Sequence, residues 1–273
     1  MAPINFLFWN TYRSPLEARI ARLVQKHDVD VVMLVEPGTE AEATLEALAP
    51  HGEFKLVSDE LSPIPVYSRL SSTRFITRLN DARWQILSVE VRDRLPLLLS
   101  VAHLPSKVNG NDIDQLNASI ELSADLKASE LALSHDRTIL VGDLNMNPFE
   151  LGVAMNQGLN ATSTQAVASW ESRIVLRREY PLFYNPMWGA FGDRTPGPPG
   201  SYYRAAGQAV NYAWNVYDQV LLRPSVMAAL EDVRLLDSDG EQTLLTENGL
   251  PDKTSGSDHL PLYFRLDLDK IGS

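Results

Sequence analysis

Thr138-Ile139-Leu140-Val141-Gly142-Asp143-Leu144-Asn145-Met146-Asn147-Pro148 is the stretch on which the reading of this chain turns. Its first half is a short, continuous apolar run, the pattern of a strand buried on both faces. The run stops at a glycine and delivers Asp143 and Asn145. The same arrangement recurs in both directions along the chain. Ile4–Trp9 is an apolar run that ends on Asn10, and Asp30–Val35 ends on Glu36-Pro37-Gly38. The run from Leu97 ends on His103, the strand Val216–Leu222 passes through Asp218, and Asp258-His259 stand just before Leu262–Leu266. Polar, metal-competent side chains therefore sit repeatedly where an apolar strand stops, and functional groups cluster where the strand ends of a rigid scaffold converge.

Between these points the chain opens β-α-β. Ser14-Pro15 reads as an N-cap followed by proline at the first helical position, and Leu16, Ile20, Leu23 and Val24 keep helical spacing to about Lys26. Thr39–Leu48 reads as a second helix. Five short runs then follow at close spacing: Phe54–Val57, Val66–Ser68, Thr73–Leu79, Trp84–Val91 and Leu97–His103. Turns with Pro, Asn or Asp divide them, a rhythm that predicts antiparallel hairpins. Ser106–Asn111 is a polar loop. Ile113–Leu133 is a long helix with apolar positions at Ile113, Leu116, Ile120, Leu126 and Leu131, and Phe149–Gln157 is a shorter one after Pro148. Val233–Leu236 is a late strand. Strands predominate, so two sheets packed face to face with helices outside are the expected solution.

Composition narrows the function classes. The 273 residues contain no cysteine, which excludes a disulfide scaffold, a thiolate zinc site and a cysteine nucleophile. No composition break divides the chain, so 1–273 is expected to be a single domain with an irregular insertion at about 160–215. The start reads as a first strand rather than a leader, and no apolar stretch approaches the roughly 18 residues of a membrane helix. A cytoplasmic protein with no membrane span and no obligate protein partner is expected. The net charge of −11 does not favour tight, non-specific binding of duplex DNA. It leaves small or single-stranded phosphoesters open, and part of the acidic excess suits a bound cation.

Taken singly, each of the polar residues has a plainer role. Asn10 is a strand-end turn residue, Glu36 a solvated turn carboxylate, and His103 a satisfied core histidine. Asp143-Leu-Asn145 is a turn, and Asp258 and His259 are a hydrogen-bonded loop pair. Their joint occurrence at strand ends is what points to a site. At these residues the sequence resembles the endonuclease/exonuclease/phosphatase superfamily, the deoxyribonuclease-I-like fold. The resemblance is carried, in order, by Phe8-Trp9-Asn10, Val32-Met33-Leu34-Val35-Glu36, Ala102-His103-Leu104-Pro105-Ser106-Lys107, Gly142-Asp143-Leu144-Asn145-Met146-Asn147-Pro148, Tyr217-Asp218-Gln219-Val220-Leu221 and Gly256-Ser257-Asp258-His259-Leu260-Pro261.

The resemblance implies an α/β (α+β) four-layer sandwich of two packed mixed sheets flanked by helices. It also implies a Mg²⁺-dependent phosphoesterase, with Mn²⁺ expected to substitute. On that basis Glu36 is the principal metal ligand, with Asn10 near it and Asp258 as a further carboxylate. Asp143 orients or deprotonates the attacking water, and Asn145 donates to the non-bridging phosphate oxygens. His259 contacts the scissile phosphate, Asp218 is its carboxylate partner, and His103 is a second imidazole for which the sequence shows no carboxylate partner. Oxygen donors suit Mg²⁺, whereas zinc more typically uses several histidines or thiolates.

The substrate reading is looser. Arg69 closes a Ser-Arg pair where relatives carry Ser-Arg or Ser-Lys, and is a candidate phosphate contact; its alternative is a surface arginine at a strand end. Lys107 is either beside the phosphate or a solvated loop lysine. Trp188, Tyr202, Tyr203, Arg204 and Trp214 could form a stacking platform for an unpaired base, or simply pack the irregular region onto the sandwich. A nuclease on DNA or RNA is the leading expectation. A phosphatase or phosphodiesterase of a small nucleotide, phosphoinositide or lipid head group is the alternative, and a fold-only binding module the least favoured.

Overall fold

A computed structural model describes residues 3–71, 73–108, 110–205 and 211–271. Asn109 of the polar loop and residues 206–210 of the irregular region lie outside the described residues. In chain order the strands are β1 (Ile4–Asn10), β2 (Val31–Val35), β3 (Lys55–Leu56), β4 (Val66–Ser68), β5 (Thr73–Asn80), β6 (Trp84–Val91), β7 (Leu97–His103) and β8 (Thr138–Asp143). They continue as β9 (Ala161–Thr162), β10 (Ser172–Val175), β11 (Arg178–Pro181), β12 (Phe183–Tyr184), β13 (Tyr202–Tyr203), β14 (Trp214–Asn215), β15 (Asp218–Leu222), β16 (Leu230–Leu235) and β17 (Leu262–Leu266). The helices are α1 (Glu17–His27), α2 (Ala41–Leu48), α3 (Asp112–Leu133), α4 (Leu151–Ala154), α5 (Gln165–Ala168) and α6 (Pro224–Met227).

Two large mixed sheets result, with strand orders β16-β17-β1-β2-β4-β3 and β5-β6-β7-β8-β15-β12-β9. Period-two alternation sorts each central strand between two cores. In β1, Phe6 and Phe8 point into the core between the sheets, where they meet Val31, Met33, Leu99, Val141 and Phe264. Leu7 and Trp9 point outward to Ile20, Leu23 and Val24 of α1. In β8, Ile139 and Val141 face the central core, while Leu140 packs outward with Leu122 and Leu126 of α3. The four expected layers are therefore helices, sheet, sheet, helix. Phe6 stacks on Phe264 at 4.6 Å between centroids, worth about 0.5–1.5 kcal/mol beyond burial alone.

The expected hairpins are present but belong to different layers. β3 pairs antiparallel with β4 in the six-stranded sheet, whereas β5, β6 and β7 form an antiparallel meander in the other. Three local expectations are corrected. α1 begins at Glu17 with Leu16 at the cap position, and no side chain caps it, so Ser14 is not the N-cap. The helix after Pro148 covers only Leu151–Ala154, because the Glu150 carboxylate accepts the backbone N–H of Asn147 at 2.9 Å and holds the segment before it as a turn. On α3 the buried face runs through Gln115, Ala118, Ser119, Leu122, Ser123 and Leu126, while Ile113 and Leu131 are exposed. Gln115, Ala118, Ser119 and Ser123 make much of the strip around Leu122 and Leu126 small or polar, which hides its first half from a hydrophobicity count.

Topology decides where chemistry gathers. β1 and β2 are parallel, as are β7 and β8, so Asn10, Glu36, His103 and Asp143 emerge at the carboxyl ends of their strands. β15 runs antiparallel to β8 and β17 antiparallel to β1, so their starts, Asp218 and the Asp258-His259 turn, reach the same edge.

Candidate active site

The two sheets meet at this edge through side chains. The Asn10 amide Nδ2 donates to Asp143 Oδ2 at 3.0 Å, joining β1 to β8 across the sandwich. Asp218 pairs in register with Asp143, and its Oδ2 accepts from His259 Nδ1 at 2.8 Å. The opposite ring nitrogen, His259 Nε2, lies 3.7 Å from Asp143 Oδ2. Asp143, Asp218 and His259 thus each offer an atom within 4.8 Å of the others, and all three are buried. His103 Nε2 stands 3.6 Å from Glu36 Oε1 and 3.8 Å from Asp143 Oδ2. The carboxylate company that His103 lacked in sequence is therefore supplied by a strand of the other sheet.

Local backbone aims these groups. Gly142 lies where β7 and β8 run closest, and a Cβ there would sit 2.1 Å from the Ala102 carbonyl oxygen, so the glycine before Asp143 is a packing requirement. Glu36 and Asn145 adopt the left-handed conformation with φ of 47° and 52°, sparsely populated backbone for residues with a Cβ. Asp143 Oδ1 accepts the Asn145 backbone N–H at 2.9 Å, and Gln115 Nε2 of α3 donates to the Asn145 carbonyl at 2.7 Å. The Ser257 hydroxyl donates to the Asn10 carbonyl at 2.6 Å, and the Ser201 hydroxyl accepts the Asp218 backbone N–H at 3.1 Å. Tyr202 lies against the His259 ring with centroids 4.7 Å apart.

Electrostatics follow from burial against charge. Burial alone would lower His259, but the carboxylates of Asp218 and then Asp143 outweigh it and push the imidazole up to about 10. Burial raises the Asp218 carboxyl while the His259 charge pulls against it, so the two groups titrate as a pair. Burial also raises Asp258, opposed by His259 and reinforced by Asp143 and Glu36. One oxygen of Asp258 is buried without a hydrogen-bond partner among the described residues.

The sequence matches the family profile for the endonuclease/exonuclease/phosphatase family over residues 7–259. The chain belongs to this family. Its members are phosphoric-ester hydrolases that generally depend on a divalent metal, and this chain is such a hydrolase. No curated protein matches the sequence. Solved structures share the fold at low identity. The human Nocturnin catalytic domain with bound sulfate is 15% identical, with TM-score 0.59 over 97% of this chain and 94% of that one. D. rerio TDP2 complexed with a single-strand DNA product is 16% identical, with TM-score 0.57 over 98% and 100%. The endonuclease domain of TRAS1, a telomere-specific non-LTR retrotransposon, is 13% identical, with TM-score 0.54 over 98% and 100%.

The residues expected to bind substrate scatter within this family fold. Arg69 is a correction. It follows β4 at the far end of the sheet, where its guanidinium is committed to Asp28, to Asp30 at 3.1 Å and to the His51 carbonyl at 3.0 Å. Lys107 is ion-paired with Glu150 on the rim of a cleft. Trp214 packs against Tyr203 at 5.4 Å and joins the apolar layer under α1, rather than standing free. Tyr202 buttresses His259, and Trp188 belongs to an aromatic cluster around Phe149.

Sequence reasoning missed the supporting polar residues Gln115, Ser201 and Ser257, which carry no motif of their own. It also missed Arg13, whose Nε lies 3.7 Å from Glu36 Oε2. Asn147 was visible in the Gly-Asp-Leu-Asn-Met-Asn run, but its task was not. It is fully buried, accepts the Val216 N–H at 2.9 Å and thereby ties β8's turn to the approach of β15.

Among the described residues no helix is long and apolar enough to cross a membrane.

Proposed function

We propose that this hydrolase cleaves phosphodiester bonds in DNA or RNA with Mg²⁺ as its ion. The observation that carries this reading is the buried run Asp218–His259–Asp143 flanked by Glu36 and His103, all at the edge where the two sheets meet. Glu36, Asp258 and Asn10 would hold the ion. They form an oxygen-only donor set, and the unpartnered buried oxygen of Asp258 is a carboxylate lone pair left for it. The Asp143/Asp218/His259 cluster suits the ion less, because an imidazole kept protonated to about pH 10 has no lone pair to give. When bound, the ion neutralises the charge of the phosphodiester and polarises its oxygens.

The protein's own groups do the remaining work. Asp143, oriented by the Asn10 amide, accepts a proton from the attacking water. Asp218 fixes the His259 ring so that its Nε2–H, on the Asp143 side, is a charged donor to a phosphoryl oxygen. Asn145 spends one amide hydrogen on the Leu104 carbonyl at 3.0 Å and keeps the other for the phosphate. His103 stands on the Glu36 side as a second donor. Nucleic acid is favoured as substrate because the single-strand DNA product of TDP2 and the TRAS1 endonuclease belong to proteins of the same fold. The net charge of −11 favours a second reading, a small nucleotide diester, because it disfavours a long polyanion.

The test is a Mg²⁺-dependent activity panel of plasmid, single-stranded DNA, RNA, cyclic dinucleotides and inositol phosphates, with His259→Ala as control. Cleavage of a nucleic acid by the wild-type chain only is expected. Activity confined to inositol phosphates would overturn the proposal.

A further inference from the structure

Beside the catalytic edge lies a cleft of about 590 Å³ whose walls include Gln115, Asn147, Phe149, Tyr212, Asn215 and Tyr217. It is continuous with the site in sequence and in bonding. Asn147 follows Asn145 by two residues, Tyr217 precedes Asp218, and Gln115 holds the Asn145 carbonyl. The mouth is aromatic. Phe149 is the hub of a cluster in which its ring centroid lies 5.1 Å from Tyr212, 5.6 Å from Phe191 and 6.1 Å from Trp188. Tyr212 remains 51% exposed, Phe191 38% and Trp188 37%, so the cluster leaves aromatic surface uncovered next to the reacting centre. A patch of this kind rimmed by polar groups marks a binding surface.

The charges of the cleft select among occupants. Lys107 and Arg204 are matched by Asp112 and Glu150, and Lys107 is ion-paired with Glu150. An inositol polyphosphate needs a surplus of cations, which a balanced cleft does not provide. A flat, neutral heteroaromatic ring needs an aromatic face, and the Tyr212 and Phe149 rings supply it; Asn147, committed to Glu150, to Asn215 at 2.9 Å and to the Val216 N–H, braces the wall behind them.

The geometry points to a nucleobase subsite in this cleft, with Tyr212 as the stacking face for a base of the substrate flanking the scissile phosphate. This rests on the phosphodiester reading above and adds that the base, not only the phosphate, is recognised. Base stacking tolerates sequence, so the subsite selects unpaired bases rather than one letter. The base could come from a single strand or from a small nucleotide, and the experiment separates the two.

Binding is measured by fluorescence anisotropy and calorimetry with EDTA present, so no turnover is required. One arm compares a single-stranded thymidine octamer with an octamer of abasic tetrahydrofuran units bearing the same phosphates. The other compares thymidine 5′-monophosphate with deoxyribose 5-phosphate. The expected result is a preference of about tenfold for the base-bearing ligand in at least one arm. Tyr212→Ala abolishes it and Tyr212→Phe restores it, with circular dichroism unchanged, as befits a half-exposed side chain. The octamer arm alone identifies a strand as the source; the mononucleotide arm identifies a small nucleotide. No preference in either arm, or a preference that survives Tyr212→Ala, overturns the inference. Hydrolysis of methyl 4-nitrophenyl phosphate, a base-free diester, is followed separately with Mg²⁺. Its failure counts against the phosphodiesterase reading and leaves the binding result to decide the cleft.

Discussion

The two ends of the sandwich treat charge in opposite ways. At the far end, where β2 begins, Arg69 is neutralised on the spot by Asp28 and Asp30, and Arg94 pairs with Asp269. At the catalytic end Glu36, Asp143, Asp218 and Asp258 crowd around two imidazoles, and a buried oxygen of Asp258 is left without a partner. Two histidines record the difference. His259 is held charged to about 10 because Asp218 and Asp143 overcome its burial. His27, at the end of α1 toward the far end, is held neutral, its pKa lowered to about 4 by burial and then by Lys26 and Arg234. The far end is built to be electrically finished. The other end gathers four carboxylates around two imidazoles, an excess of negative charge that suits the cation proposed above.

The largest way to break this contrast is to remove the groups proposed to activate water and to contact the phosphate. His259→Ala or Asp143→Asn is expected to lower kcat by roughly 10²–10⁴ with the far-ultraviolet circular dichroism unchanged. Wild-type turnover in either variant would remove the role assigned to it. Next in size is metal linkage. Mg²⁺ at about 100 times its Kd should stabilise the chain by about 2.7 kcal/mol and raise Tm by several degrees. EDTA should abolish activity, and Glu36→Gln should abolish the Tm gain. An equal gain in the Glu36→Gln protein would show that the ion binds elsewhere.

The histidines sharpen the comparison through pH. His27 has a folded pKa below its unfolded value, so its contribution is present above about 6.5 and lost as pH falls toward about 4. His259 has a folded pKa above its unfolded value, so its contribution is complete below about 6.5 and lost as pH rises through about 10. In metal-free protein, His27→Gln should flatten only the acid limb of Tm against pH, and His259→Gln only the alkaline limb. The reverse assignment, read by scanning calorimetry, would refute a neutral His27 and a charged His259. Smallest is Arg69→Ala. Loss of its bonds to Asp30 and the His51 carbonyl should cost about 1–3 kcal/mol of stability, while kcat/KM stays within twofold. A large drop in kcat/KM would return Arg69 to the substrate.

Much of the candidate site was legible because its residues stand where an apolar strand ends or begins. Asn10, Glu36, His103 and Asp143 stood out for that reason as a set, not one by one. Their supports did not. Gln115 sits on the buried strip of α3, and Ser201 and Ser257 act through single hydroxyls on distant backbone. A hydroxyl or amide that acts on backbone across the fold leaves no periodic trace. Arg69 was misplaced for a related reason. A Ser-Arg pair after a strand looks the same at either end of a sheet, and only the antiparallel register of β4 on β2, Ser68 opposite Val31, carries it away from Glu36.

The sequence by itself determined the central strands, the sheet-on-sheet packing and the residue types available for phosphoryl chemistry, but not β9–β14, of which β9 and β12 extend the seven-stranded sheet within the stretch expected to be irregular. Apolar periodicity and chain-end chemistry are local properties of the chain. Only the tertiary structure decided which carboxylate meets which imidazole, that His103 answers to Glu36 from the other sheet, and that an aromatic cleft opens beside Asn147. Those facts depend on contacts between residues up to 250 positions apart, as between Trp9 and the His259 carbonyl. Strand direction and register set such contacts, and neither is written in any one segment.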